Sequence, residues 1–242
     1  MNLRNKYILV TGAARRIGAA IARALAAEHA NVIVHCNRSR TEADALVDEL
    51  RRGGTDAFAV QADLANPAQV QAMFNELLHR TGGKLDGIVN NASLYASTGT
   101  PEAKLCKAIH VDAPLALIER LATVADNAAV VNILDTRVVS ADPAHAEYLE
   151  SKRLLADLTE ELAAKFAPRI RVNAVAPGAV LQEDGQPVAA LERLSNFNPL
   201  KAHGSPDGLA ECVRFLLATD FITGQTICYD GGYRLRFRKN NS

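Results

Sequence analysis

The chain has 242 residues and a formal charge of zero, with 27 basic and 27 acidic side chains. That length fits one α/β domain, and the balance gives no general attraction to nucleic acid or to an anionic membrane. No run approaches the roughly 20 apolar residues that span a bilayer, and the first ten residues lack the regions of a signal peptide, so a cytoplasmic protein is expected.

The elements alternate from the start. Tyr7–Thr11 reads as an apolar strand, Ile17–Ala27 as an Ala-rich helix, Asn31–His35 as a strand and Thr41–Arg52 as a helix. Ala57–Gln61 and Pro67–Arg80 repeat the pair, with Asn66 placed to cap the helix. Gly87–Asn90 and Ala129–Leu134 are further strands, Ala144–Phe166 is a long helix and Ile170–Ala176 a strand. Ala210–Leu217 is a late helix and Gln225–Tyr229 the last strand. Strands alternating with helices predict a doubly wound parallel sheet of the Rossmann type, with helices on both faces. The stretch 178–205 is the least regular and long for a connection, which marks it as a candidate substrate flap. Leu181, Pro187 and Leu191 are candidates for its apolar wall. Arg234, Arg236, Arg238 and Lys239 read as a solvated basic terminus.

The four cysteines and six histidines show no metal-binding spacing, so no metal site is expected. Chemistry gathers instead at the predicted carboxyl ends of the strands, where open α/β sheets bind ligands. Thr11-Gly12-Ala13-Ala14-Arg15-Arg16-Ile17-Gly18 joins the first strand to the first helix, where a dinucleotide's pyrophosphate meets a helix N-terminus. A Gly-rich turn alone is weak evidence; its position strengthens it. His35-Cys36-Asn37-Arg38-Ser39 follows the second strand without the acid that bonds the ribose 2′-hydroxyl of NAD. Arg38 and Ser39 suit a 2′-phosphate, which favours NADP. Asp63-Leu64 and Asn90-Asn91-Ala92 lie at the same edge. Tyr148 and Lys152 are four apart on one helix face, a pair that is often only structural.

Taken together, Thr11-Gly12 with Gly18, Asp63, Asn90-Asn91-Ala92, Tyr148 with Lys152, Pro177-Gly178 and Asp230-Gly231-Gly232 resemble the short-chain dehydrogenase/reductase family along essentially the whole chain. The resemblance implies NAD(P)-linked hydride transfer, usually in a homotetramer or dimer. It implies Tyr148 as proton donor, and Lys152 as a ribose ligand that lowers the Tyr148 pKa. Gly12, Arg16, Ile17, His35, Asn37, Arg38, Ser39, Asp63, Leu64, Asn91, Ala92, Ser93, Lys152, Pro177 and Gly178 would form the NADPH site.

Three positions depart from the family's common pattern. Arg16 replaces the middle glycine of the turn, Asp135 the catalytic serine, and His110 an asparagine that helps hold a water in a proton relay. Arg16, Asp135, the His35-to-Ser39 segment and Tyr95 are similar to the pteridine reductase subgroup. Arg16, Ser93, Tyr95, Asp135 and Tyr148 would then bind a dihydropterin or dihydrofolate, with Asp135, Tyr148 and Lys152 catalytic. A carboxylate at 135 suits the amino and NH donors of a pterin, whereas a ketone reductase needs a hydroxyl. Two other readings stand beside this: a carbonyl reductase of the 3-oxoacyl or sugar-ketone kind, which predicts serine at 135, and a non-catalytic NADPH-binding regulator, which predicts loss of Tyr148 or Lys152. His110 stays a weak site candidate.

Overall fold

The computed structural model describes residues 1–182 and 188–237. Pro187, Arg238 and Lys239 lie outside them.

Seven strands form one parallel sheet in the order β3-β2-β1-β4-β5-β6-β7. They are β1 (Tyr7–Val10), β2 (Asn31–Cys36), β3 (Ala57–Gln61), β4 (Gly87–Asn90), β5 (Ala128–Ile133), β6 (Ile170–Pro177) and β7 (Thr226–Tyr229). The helices are α1 (Arg16–Ala27), α2 (Arg40–Arg52), α3 (Pro67–Arg80), α4 (Ala113–Val124), α5 (Ala146–Phe166), α6 (Val188–Ser195) and α7 (Pro206–Ala218).

Strand residues alternate between two cores, as the pleat requires. Ile8, Val10, Val32, Val34, Val89 and Val131 join α1, α2 and α7 on one face. Leu9, Ile33, Ile88 and Val130 join α3, α4 and α5 on the other. Covering both faces is what lets these strands be continuous apolar runs. Among the described residues no helix is long and apolar enough to cross a membrane.

The expected strands and their parallel pairing are present, with ends displaced by a residue or so. Asn66 caps α3, its side-chain oxygen accepting from the amides of Ala68 and Gln69. Two helices lie where the sequence reading placed none. α4 begins at Ala113-Pro114 and follows a π-helical turn, Ala108–Asp112. α6 stands inside the 178–205 stretch, with Leu191 buried and Leu181 packed against the α1-side core.

The strand order matters for function. The chain steps outward from β1 through β2 to β3, then returns to lay β4 on the other side of β1. That reversal opens a crevice past the carboxyl ends of β1 and β4.

Candidate active site

Thr11-Gly12 and Asn90-Asn91-Ala92 meet in this crevice. Thr11 Oγ1 accepts from the amides of Asn91 (2.9 Å) and Ala92 (3.0 Å). Asn91 Nδ2 donates to the carbonyls of Thr11 (2.8 Å) and Gly12 (3.1 Å). Gly12 has φ +61°, and a Cβ there would stand 2.9 Å from Ala92 Cα. A Cβ on Gly18 would fall 2.3 Å from the Gly12 carbonyl oxygen. Glycine is therefore required at both positions by close approach of backbone. Gly178, at the end of β6, packs as tightly on Asp230.

His35 is buried beneath the same turn. Its Nδ1 accepts from the Gly12 amide at 3.0 Å, and Nε2 faces the Ala62 carbonyl at 3.1 Å, which fixes the proton on Nε2. Burial brings its pKa down to about 4, so it is neutral near pH 7. Both ring nitrogens of His35 bond within the protein, and the side chain shapes the Gly12 turn of the expected cofactor site. Asn37 and Arg38 are exposed just beyond β2, with Ser39 half-buried behind them. Among the described residues Arg38 makes no ion pair. Arg16 occupies a left-handed conformation, φ +56°, and its Nη2 donates to the Gln182 carbonyl at 2.6 Å. Asp63 turns back on itself to accept from the Ala65 amide, and Leu64 is buried.

The residues of this end fit a phosphorylated dinucleotide. The first turn of α1 holds no acid, its N-terminus opens onto the Gly12 turn, and the loop just after β2 carries Arg38 with no carboxylate between them.

The other half of the site stands at the end of β5. The Tyr148 hydroxyl donates to Asp135 Oδ2 at 2.9 Å. Lys152 is fully buried, and its Nζ donates to the Ile133 carbonyl at 2.8 Å. Burial brings the Lys152 pKa down to about 8, against the pull of Asp135. Tyr148 is pushed well above its ordinary 10, first by burial and then by the charge of Asp135. The Lys152 ammonium donates to Ile133 and lies 5.9 Å from the phenol ring centroid, close enough for its charge to act on that ring. Tyr148 is held neutral, its hydroxyl donating to Asp135.

Sequence reasoning missed Arg137. Its Nη2 lies 2.8 Å from Asp135 Oδ2, and its backbone amide donates to Oδ1 at 2.7 Å. Burial would raise the Asp135 carboxyl, but the hydrogen bonds and charge of Arg137 outweigh it and leave it below the usual range. The spacing Asp-Thr-Arg was a signal, since a helical turn folds residue 137 back over 135. Tyr95 was expected and is present. Its ring stacks on His145 (centroids 4.3 Å apart, planes 17° apart) and stands edge-on to Tyr148 at 5.0 Å.

His110 is placed by the π-helical turn, a feature frequent at functional sites. Its Nε2 accepts from the Leu94 amide at 3.0 Å and sits 3.0 Å from Ser93 Oγ. Its Nδ1 lies 2.7 Å from Ser151 Oγ, which donates to the Tyr148 carbonyl. Burial and the Lys152 charge keep it neutral. It is a strut between the Ser93–Tyr95 loop and α5, rather than a group facing the crevice. Asp230 performs a similar task, accepting from Thr136 Oγ1 at 2.6 Å and from the amides of Gly232 and Arg234. Among the described residues no cluster of His, Cys, Asp or Glu could hold a metal ion.

A dinucleotide crevice beside a Tyr/Lys/Asp centre defines a nicotinamide-linked oxidoreductase of the Rossmann class. A family model described as enoyl-(acyl carrier protein) reductase matches residues 12–234. The chain belongs to the short-chain dehydrogenase/reductase family. It is 35% identical over 238 residues to a 3-oxoacyl-[acyl-carrier-protein] reductase of Synechocystis, covering 93% of this chain and 95% of that one. Among solved structures it resembles FolM alternative dihydrofolate reductase 1 from Brucella canis, complexed with NADP (TM-score 0.91, 35% identity, 99% and 98% coverage). It also resembles the angucycline C-6 ketoreductase LanV with bound NADP (TM-score 0.89, 32% identity, 97% of each chain).

Proposed function

We propose that this enzyme is an NADPH-dependent pteridine reductase that converts a dihydropterin or dihydrofolate to the tetrahydro form. The observation that carries the reading is the carboxylate of Asp135, hydrogen-bonded to the Tyr148 hydroxyl at 2.9 Å. It stands where a ketone reductase needs a hydroxyl to hold a carbonyl oxygen. A carboxylate would repel that oxygen and welcome the amino and ring NH donors of a pterin. Likeness to a dihydrofolate reductase bound to NADP supports the same substrate class and the same cofactor.

Bound NADPH supplies a hydride to the ring carbon of the substrate's C=N bond. The Gly12 turn and α1 N-terminus would hold its pyrophosphate, Arg38 and Ser39 its 2′-phosphate, and Lys152 its nicotinamide ribose. Tyr148 is the proton donor to the adjacent ring nitrogen, because its hydroxyl is neutral and buried beside Asp135. Tyr95, fixed by His145, supplies a flat wall for the pterin ring. Arg16 links the cofactor turn to the segment after β6, and Ser93 lies at the same mouth. Residues 178–182, α6 and the chain from there to 205 would form a flap at this mouth, and a homotetramer is the expected assembly.

The second reading is a 3-oxoacyl-thioester reductase, favoured by the name of the Synechocystis relative. Asp135→Ser separates the two. On the pterin reading it cuts kcat/KM for dihydrobiopterin, dihydromonapterin or dihydrofolate by about a hundred-fold. Pterin reduction that survives unchanged would leave Asp135 without a substrate role.

A further inference from the structure

Arg137 sits on the short helical turn Thr136–Val139 that follows β5. Its Nε lies 3.2 Å from both oxygens of Asp135, and its Nη2 2.8 Å from Oδ2. On its other side Nη1 donates to the Tyr95 hydroxyl at 3.0 Å. The guanidinium carbon stands 5.0 Å from the Tyr95 ring centroid and 5.7 Å from that of Tyr148. One planar cation thus touches the carboxylate, the aromatic wall and the ring of the proton donor. The carboxylate side chain is 12% exposed and the arginine 32%, so the pair is shielded on its inner side and open on its outer one.

We propose that Arg137 is a positioning residue of the reduction site: its ion pair keeps the Asp135 carboxylate charged and aimed at the Tyr148 hydroxyl, while its bond to Tyr95 sets the aromatic wall in register with that donor.

The groups around Asp135 leave this task to Arg137. From α5 come Tyr148, a donor without charge, and Lys152, whose ammonium donates to the Ile133 carbonyl and reaches Asp135 only as a charge through space. From the segments before α4 come His110, held neutral, and Cys106, whose thiol burial raises. From the lead into α5 comes His145, paired with Asp142. A buried carboxylate without a bonded cation takes up a proton instead. A protonated Asp135 would no longer be a full acceptor for the Tyr148 hydroxyl or for a pterin's donors. The planar fork of arginine meets a carboxylate and a phenol together, a geometry lysine matches less well but with the same charge.

The inference rests on the pterin reading for its substrate, but its test begins in ligand-free protein. Aspartate labelled with carbon-13 at the carboxyl is titrated by NMR, the Asp135 signal being assigned by its loss in Asp135→Asn. In Arg137→Gln the Asp135 carboxyl titrates at higher pH than in the parent. The acid limb of kcat/KM rises with it, with turnover at the acid end about ten-fold lower. Arg137→Lys keeps both near the parent. An unmoved Asp135 titration in Arg137→Gln overturns the proposal, and so does an Arg137→Lys variant as impaired as the glutamine one. An Arg137→Gln chain that does not fold leaves the lysine variant to decide: an upward move there equally overturns it. A parent enzyme that reduces only thioesters would sink the pterin reading, while the carboxyl titration would still stand or fall alone.

Discussion

At the end of β1 the crevice is held together by backbone groups, and at the end of β5 by charges. Around Gly12 the contacts run from amide to hydroxyl and from side-chain amide to carbonyl, through Thr11, Asn91 and His35. Around Asp135 they run between ionised or polarised side chains, Arg137 and Tyr148, with the Lys152 ammonium beside them on the Ile133 carbonyl. The first arrangement suits a ligand that every family member shares, since a rigid backbone cradle tolerates little variation. The second suits a reaction that differs between members, since exchanging one side chain changes what the site accepts.

Tyr148→Phe should break the charged end alone. Turnover should fall by about a hundred- to ten-thousand-fold, with NADPH binding, read by fluorescence titration, little changed. A comparable loss of NADPH affinity would mean that the two ends are not separable. Arg38→Ala should do the reverse. NADPH affinity should fall by about ten- to a hundred-fold while NADH binding changes far less; equal losses would remove Arg38 from the 2′-phosphate.

Acid sharpens the contrast further. His35 is neutral in the folded protein, at about 4, against an ordinary 6.5. As pH falls the unfolded chain takes up that proton first, so stability is lost between about 6.5 and 4, by up to about 3 kcal/mol. His110, also lowered by burial, adds a loss of the same sign. Denaturant unfolding at pH 7 and pH 5 should show a smaller drop in His35→Gln than in the parent; an identical drop would mean His35 is not buried neutral. The smallest effect concerns Arg16. A non-glycine residue at φ +56° costs about 1 kcal/mol, so Arg16→Gly should unfold no more easily than the parent while KM for NADPH and pterin rises. Unchanged KM values would leave Arg16 a structural oddity.

Much of this was legible in the sequence. Continuous apolar strands between helices gave the parallel sheet, and the turn residues at their ends fell along one edge. Tyr148 and Lys152 share a helix face, but they and Asp135 were singled out by the resemblance to the family's motifs rather than by that spacing alone. α4 escaped because its apolar residues, Ala113, Pro114, Leu117, Ile118 and Leu121, sit beside a proline and follow a π-helical turn that blurs the period. Arg137 and His145 escaped because their meaning lies in Tyr95, a partner 42 residues before Arg137 in the chain. The burial of His35 was not legible because a strand end looks open in sequence, while here the end of β2 is covered.

The central claim is that the carboxylate at the end of β5 makes this a reductase of pterin rings. It is tested most directly by following NADPH absorbance with the unmodified enzyme on dihydrobiopterin, dihydromonapterin and dihydrofolate, beside an acetoacetyl thioester. The account predicts turnover of at least one of the reduced pterins, with kcat/KM well above that for the thioester. Turnover of the thioester alone would contradict it.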